Sequence, residues 1–373
     1  MPHHDEAYMR AAFALARRTL GRTAPNPAVG ALIVRPDGSR DELVACGWTM
    51  HGGRPHAERV ALERAGEAAR GATLYVTLEP CAHHAKTPPC ADAIIEAGIS
   101  RVVVSAGDPD PRVAGKGISK LNDAGIEVEE GCLEEEGAAL ARGHILRVRE
   151  NRPLVQLKLA VGSDGLVPQG REGAPVWVTG SDARAHGHLL RARADAILAG
   201  HGTITADDPS LTCRLPGMVE DSPVRVVLCS ALDIPATAKL FADIETAPVW
   251  AVGSLKADTA REKTLAGAGA EIIRAEVNEG GGLDIRDVLS ALAARGITRL
   301  LVEGGPHVAS SFWNAGLVDE IYIYKGPEPA GGNGLPALAG EQLSAIETSG
   351  DFMRESTREL GHDTLDVYRR KNG

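Results

Sequence analysis

Apolar positions along this chain switch between two periods, and the switches predict its elements. Residues 6–20 repeat at helical spacing, whereas "AVGALIVR" (28–35) and "ELVACGW" (42–48) read as the two strands of a hairpin. "HAERVALERAG" (56–66) is predicted as helix, "ATLYVTLE" (72–79) as strand, "CADAIIEAG" (90–98) as helix and "RVVVSAG" (101–107) as strand. "GISKLNDAG" (117–125) then reads as helix, "IEVEEG" (126–131) as strand and 133–150 as a longer helix. Strands separated by helices of about ten residues require crossovers, so a largely parallel sheet covered on both faces is expected.

The polar "NRP" at 151–153 interrupts the pattern, because the residue before a proline disfavours helix. It sets a boundary between a first domain, 1–150, and a second, 151–373. Alternation restarts with "LVQLKLAV" (154–161) and "DARAHGHLLRARADAILAG" (182–200). It continues through "VRVVLCS" (224–230), "VWAVGS" (249–254), "EIIRAE" (271–276) and "IRDVLSALAARGI" (285–297). "RLLVEGG" (299–305), "HVASSFWNAG" (307–316), "DEIYIYKG" (319–326) and "TLDVYRR" (364–370) complete a second α/β domain. No internal repeat joins the halves.

A chain of 373 residues exceeds one ordinary core, which agrees with two domains. The net charge of −10 argues against a nucleic-acid partner, whose phosphates call for clustered Lys and Arg, and favours a small substrate. No apolar run reaches the ~20 residues that cross a bilayer. The N-terminal stretch lacks the layout of a secretory signal, so a cytoplasmic location and no membrane partner are expected. Six cysteines in this length make no disulfide framework. Cys46, Cys132, Cys213 and Cys229 lie in or beside apolar segments and are expected as small buried hydrophobes.

The chemistry concentrates in "PHAE" (55–58) and "EPCAHHAKTPPC" (79–90). His56, Cys81 and Cys90 offer the nitrogen and thiolate ligands that a catalytic zinc takes, leaving a fourth position for water. Glu58 stands two residues past His56 at a helix start, where its carboxylate suits proton transfer. Pro55, Pro80 and Pro89 each precede a ligand and fix the backbone there. A closed structural zinc would recruit His83 or His84 as a fourth ligand; the glutamate favours the open site.

His-x-Glu followed by Pro-Cys and a second cysteine is the pattern of zinc deaminases, here with a longer cysteine spacing. Together with "APNPAVGALIV" (24–34), "ATLYVTLEP" (72–80) and "DPDPRVAGKG" (108–117), the first half resembles the deaminase half of the bifunctional riboflavin-biosynthesis deaminase/reductase family. The resemblance implies a cytidine-deaminase-like three-layer α/β domain in which His56, Cys81 and Cys90 bind Zn2+ and Glu58 shuttles protons. It also implies that Asn26 and Lys86 contact the substrate. Two positions depart from the family pattern: Thr49 stands where a histidine is usual, and Ala85 replaces a glycine.

The same resemblance extends to the second half through "LVQLKLAVGSDG" (154–165), 177–214 and "LVEGGPHVASSFWNAGLVDEIYIY" (301–324). It implies a dihydrofolate-reductase-like α/β domain using NADPH. Lys158 and Asp207 would act at the reacting sugar, and Trp177, Arg191, Leu211, Arg214 and Glu303 would bind substrate. Ala160, Thr203, Asp207, Gly304 and Gly305 would hold the cofactor, with Ser230 added from its position at the end of "VRVVLCS" alone. The residues lend separate support: no Gly-x-Gly-x-x-Gly follows a strand, which removes a Rossmann site. Gly304-Gly305 instead joins a strand to a helix whose first amides are available to a pyrophosphate. Arg191 and Arg214 have the fork geometry that grips a phosphate. Ser163–Pro168 and Pro175 depart from the family pattern.

The expected activity is two-step. A diaminopyrimidinone carrying a ribosylamino phosphate is hydrolytically deaminated, and its ribosyl group is then reduced to ribityl. A homo-oligomer acting on this small phosphorylated pyrimidine is expected. Two alternatives stay open: a zinc deaminase of another nucleoside or nucleotide with an inactive reductase-like domain, and a non-catalytic zinc-binding protein.

Overall fold

In a computed structural model of the chain, describing residues 2–37, 40–83, 88–168 and 176–371, the strand-period segments build two separate α/β sheets. They belong to two units, Met1–Arg152 and Pro153–Gly373. The first contains α1 (Pro2–Arg17), β1 (Gly30–Asp37), β2 (Arg40–Trp48), α2 (Ala57–Ala65) and β3 (Thr73–Leu78). It continues with α3 (Cys90–Glu96), β4 (Arg101–Ala106), α4 (Lys116–Asp123), β5 (Glu127–Glu130) and α5 (Glu134–Glu150).

Its sheet runs β2-β1-β3-β4-β5. Only β3, β4 and β5 pair in parallel, while β1 is antiparallel to both neighbours, so the sheet is less parallel than expected. The cause lies in the hairpin. β2 reverses against β1, and the crossover through α2 returns β3 in the direction of β2, on the far side of β1. Alternate side chains then point to opposite layers. Ala31, Ile33, Leu74, Val76 and Val102 pack with Ala57, Ala61, Ile94 and Leu121 of α2, α3 and α4. Leu32, Val34, Tyr75 and Val103 pack with Met9, Phe13 and Leu140 of α1 and α5.

One contact in this packing fixes the helix that matters most for function. A Cβ placed on Gly47 of β2 would collide with the Ala57 carbonyl and the Ala61 amide of α2. Glycine is therefore required for the backbone of α2 to lie on the strand. His56 is the N-cap of that helix and Glu58 lies in its first turn.

The second unit contains β6 (Leu154–Val161), β7 (Leu166–Val167), α6 (Ser181–Ala192), β8 (Ala196–Gly200), α7 (His201–Asp207) and β9 (Val224–Leu228). Then come β10 (Val249–Ser254), α8 (Thr259–Gly267), β11 (Glu271–Ala275), α9 (Ile285–Ala294), β12 (Arg299–Val302) and α10 (Pro306–Asn314). β13 (Glu320–Lys325), β14 (Leu335–Pro336), α11 (Ser344–Glu347), β15 (Phe352–Leu360) and β16 (Asp363–Arg370) complete it. The main sheet runs β11-β10-β9-β8-β12-β6-β13-β16-β15, parallel as far as β13 and antiparallel beyond.

Helices cover both faces. Val288, Leu289 and Leu292 of α9 and Phe312 of α10 meet one set of alternate strand residues, Leu157, Leu198 and Leu300 among them. Leu190 of α6 and Leu265 of α8 meet the other, including Ile197, Val227 and Ala251. Buried Asp195 ties β8 to β12 by accepting from the Thr298 and Arg299 amides and the Thr298 hydroxyl at 2.6–2.9 Å. Because β12 is inserted between β8 and β6, the carboxyl ends of these strands flank a crevice, the usual ligand position in such sheets.

Gly47→Ala should lower the stability of the first unit by about 1–3 kcal/mol, the usual cost of forcing an extra carbon into a packed site. A lowered unfolding midpoint by circular dichroism checks this. Gly107→Ala, in the same unit and with nothing within 4 Å of the added carbon, is the control that should not lower the midpoint.

Candidate active sites

The first site forms where three elements end together. The α2 N-terminus brings His56, the segment after β3 brings Cys81, and α3 begins at Cys90. His56 Nδ1 lies 3.7 Å from Cys81 Sγ and 3.4 Å from Cys90 Sγ. Bond lengths of about 2.0–2.3 Å around a tetrahedral zinc put nitrogen and sulfur ligands ~3.6 Å apart, so the donor set fits that ion. All three ligand atoms lie within 4.8 Å of one another.

The prolines and amides hold this arrangement. Pro89 is the N-cap residue of α3 in extended conformation. The Cys90 amide donates to Cys81 Sγ at 3.3 Å, and the Ala91 amide to the Cys81 carbonyl at 3.2 Å. Hydrogen bonding from the Cys90 thiol, aided by His56, pulls the Cys81 thiol down to about 4. The resulting thiolate pushes Cys90 up and His56 up, so the pair shares a proton that a divalent cation would displace. Glu58 is 4 % exposed. Burial raises its carboxyl, opposed by His56, which suits a group that must hold and release a proton.

Asn26 is half-buried and its amide donates to the Gly53 carbonyl at 2.8 Å, tying its loop to the segment that leads into His56. Thr49 is buried, with its hydroxyl accepting from the Val29 amide at 3.0 Å, and so serves the sheet. Lys86, His84 and Ala85 lie outside the described residues. Cys213 and Cys229 are buried as expected, whereas Cys46 and Cys132 are only half-buried.

Sequence reasoning missed Glu79. Its buried carboxylate accepts from the Gly117 and Gly115 amides at 3.0 Å and the Asp108 amide at 3.4 Å. It thereby organises "DPDPRVAGKG" beside the end of β3, and Pro80-Cys81 follows directly. A strand-end Glu-Pro facing a glycine-rich loop was the available signal.

The second site is a cavity of about 410 Å³ at the carboxyl ends of β6 and β12. Lys158, Ala160, Trp177, Arg191, Thr203, Asp207, Leu211, Arg214, Glu303, Gly304 and Gly305 all line it, so the residues named from sequence converge. Ser230 follows β9 and is not among the lining residues. The fork expected of Arg191 is occupied within the protein. Its Nε and Nη2 donate to the two oxygens of Glu303 at 2.9 Å, and Nη1 to the Thr212 carbonyl at 3.0 Å.

Lys158 Nζ is 3.5 Å from Glu303 and lies over the Tyr324 ring. Burial alone would raise the Glu303 carboxyl, but Arg191 and Lys158 hold it well below the usual range, so Lys158 faces a permanent anion. Burial pushes Asp207 up. At the α10 N-terminus the first helical residue is Pro306, and the Gly305 amide already donates to Thr203 Oγ1 at 3.2 Å. The amides left for a phosphate therefore start at His307.

Comparisons with known proteins match both units. Residues 2–106 match the family described as "Cytidine and deoxycytidylate deaminase zinc-binding region", and 153–365 match "RibD C-terminal domain". The riboflavin biosynthesis protein RibD of Bacillus amyloliquefaciens is 40% identical over 360 residues, spanning 96% of this chain and 94% of the relative. That of Escherichia coli is 38% identical over 374 residues, spanning 96% and 97%. The solved structure of Acinetobacter baumannii RibD has a TM-score of 0.86 at 35% identity and covers 100% of both chains. A diaminohydroxyphosphoribosylaminopyrimidine deaminase/5-amino-6-(5-phosphoribosylamino)uracil reductase from Thermotoga maritima scores 0.83 at 36% identity over 99% of each chain.

Cys81→Ser and Cys90→Ser each replace a thiolate by a poorly ionised hydroxyl, and each should lose most of the co-purifying zinc. Elemental analysis checks this, and full occupancy in both variants would remove the ligand assignment.

Proposed function

The chain belongs to the RibD family, and from that premise we propose that Met1–Arg152 carries the deaminase site and Pro153–Gly373 the reductase site of one bifunctional enzyme. The enzyme acts in riboflavin biosynthesis, using Zn2+ for hydrolytic deamination and NADPH for reduction. The observation that carries the residue-level reading is the placement of Glu58, buried on the helix that begins at His56, against two convergent cysteines.

His56, Cys81 and Cys90 would hold the zinc, which when bound makes water nucleophilic near neutral pH. Glu58 takes a proton from the attacking water and delivers it to the departing amino nitrogen, which leaves as ammonia while the pyrimidine gains a carbonyl. Asn26 retains its side-chain oxygen for the ring. In the second unit Ala160, Thr203, Gly304 and Gly305 would hold NADPH, which when bound would supply the hydride for C1′ of the opened ribose. Lys158, held 3.5 Å from the Glu303 carboxylate, is the donor of the proton that the adjacent nitrogen receives. Trp177 and Asp207 bound the cavity, and Arg214 faces the substrate phosphate.

Six free thiols and a phosphorylated substrate favour a cytoplasmic enzyme. Among the described residues no helix is long and apolar enough to cross a membrane. β15 is the outermost strand of the nine-stranded sheet, an edge along which a second copy can pair, which supports a homo-oligomer.

Glu58→Gln keeps the shape of the side chain but cannot relay a proton, so ammonia release should fall about 10²–10⁴-fold with zinc retained. A variant within a few-fold of the parent would assign the proton to another residue.

The two activities should also separate. Glu58→Gln should still oxidise NADPH when supplied with the deaminated uracil nucleotide. Asp207→Asn and Arg214→Ala should release ammonia normally and lose reduction. Ammonia assays and absorbance at the NADPH band read the two steps independently, and loss of both in any one variant would contradict the division of labour.

A further inference from the structure

His188 lines the reductase cavity but belongs to none of the roles assigned above. It projects from α6, one turn before Arg191 at the end of that helix. Its Nδ1 accepts from the Arg214 backbone amide at 3.3 Å. A neutral imidazole that accepts at Nδ1 carries its proton on Nε2, so the ring presents an N–H donor on its other side.

The charges around it explain why a histidine suits the position. Arg191 and Arg214 both act on the ring, opposed by Glu303 and the Thr212 carbonyl. Lys158 lies 3.5 Å from Glu303, which Arg191 also engages. Burial and the two guanidiniums hold His188 down to about 4, so it stays neutral. A lysine here would add another cation to a cluster with one buried carboxylate. A neutral donor adds hydrogen-bonding capacity without that repulsion. Arg214 shows the same deficit of negative charge: burial and Arg191 lower its own affinity for a proton. Its Nη1 donates to the neutral Ser210 hydroxyl at 3.3 Å. The cluster thus gathers the Arg214 guanidinium, the Ser210 hydroxyl and an imidazole in one cavity, with Arg191 adding positive charge while its fork stays on Glu303 and the Thr212 carbonyl, a set matched to a phosphate dianion.

We propose that His188 is a further phosphate-binding residue of the reductase cavity, donating from Nε2 to the substrate phosphate beside Arg214. The inference rests on the reductase reading of this unit. It predicts that His188 discriminates phosphorylated from unphosphorylated substrate.

The test uses full-length, zinc-loaded protein and calorimetric titration without NADPH, so that no turnover occurs. The uracil nucleotide and its dephosphorylated nucleoside are titrated into the parent, His188→Ala and His188→Gln. His188→Ala should weaken nucleotide binding about 10-fold, the worth of one hydrogen bond to a charged group, with nucleoside binding unchanged. His188→Gln carries an amide donor near the Nε2 position and should recover most of the loss. Equal weakening of both ligands would reduce His188 to a packing role and overturn the proposal, as would unchanged nucleotide binding in His188→Ala. NADPH oxidation by the parent is measured separately. A phosphate-selective His188 effect in a parent that never oxidises NADPH would uphold the subsite and sink the reductase reading instead.

Discussion

A carboxylate taken out of water must be matched by donors or cations, and the way each buried carboxylate is matched organises both units. Glu79 is matched by backbone amides, which ties a long loop to the end of β3. Asp195 is matched by two amides and a hydroxyl, which locks neighbouring strands in register. Glu303 is matched by a guanidinium and an ammonium, which converts a structural pair into the floor of a cavity. Glu58 differs from these. The ionisable groups that act on it are His56, Cys81 and Cys90, a set that gains its counter-charge when a divalent cation joins it.

The geometry that brings Glu58 there depends on backbone approach rather than on side-chain fit. Gly47 lets α2 settle on β2, and Gly117 plays a comparable part where a Cβ would strike the Pro80 carbonyl. One glycine sets the depth of the histidine and glutamate, and the other sets the depth of the loop held by Glu79. The cysteines arrive from the ends of two further elements, so the donor set draws on three separate segments of the chain.

Much of this was legible in the residues. The period-two runs marked the central strands, because burial on alternate faces leaves that pattern. The proline-flanked cysteines marked the metal site, because ligand spacing is local. What escaped was non-local. β15 is exposed at most positions, so "FMRESTREL" shows no apolar alternation, and it is a strand only through its register with β16. The antiparallel placement of β1 beside β3 depends on which side of the hairpin the crossover returns. The occupation of the Arg191 fork by Glu303 links residues 112 positions apart, which no motif window spans. Ser230 was placed by position along the chain alone, and the cavity wall does not include it.

Each hydrophobic core is assembled from one unit's own segment: Met9 through Ala141 in the first, Val155 through Tyr368 in the second. Among the described residues each of these clusters draws on a single unit. This makes the polypeptide a fusion of two self-contained folding modules, and the linkage between the reactions is genetic before it is structural. A substitution within any one of these clusters removes apolar contacts from the unit that supplies it, so the two catalytic steps present separate mutational targets to selection.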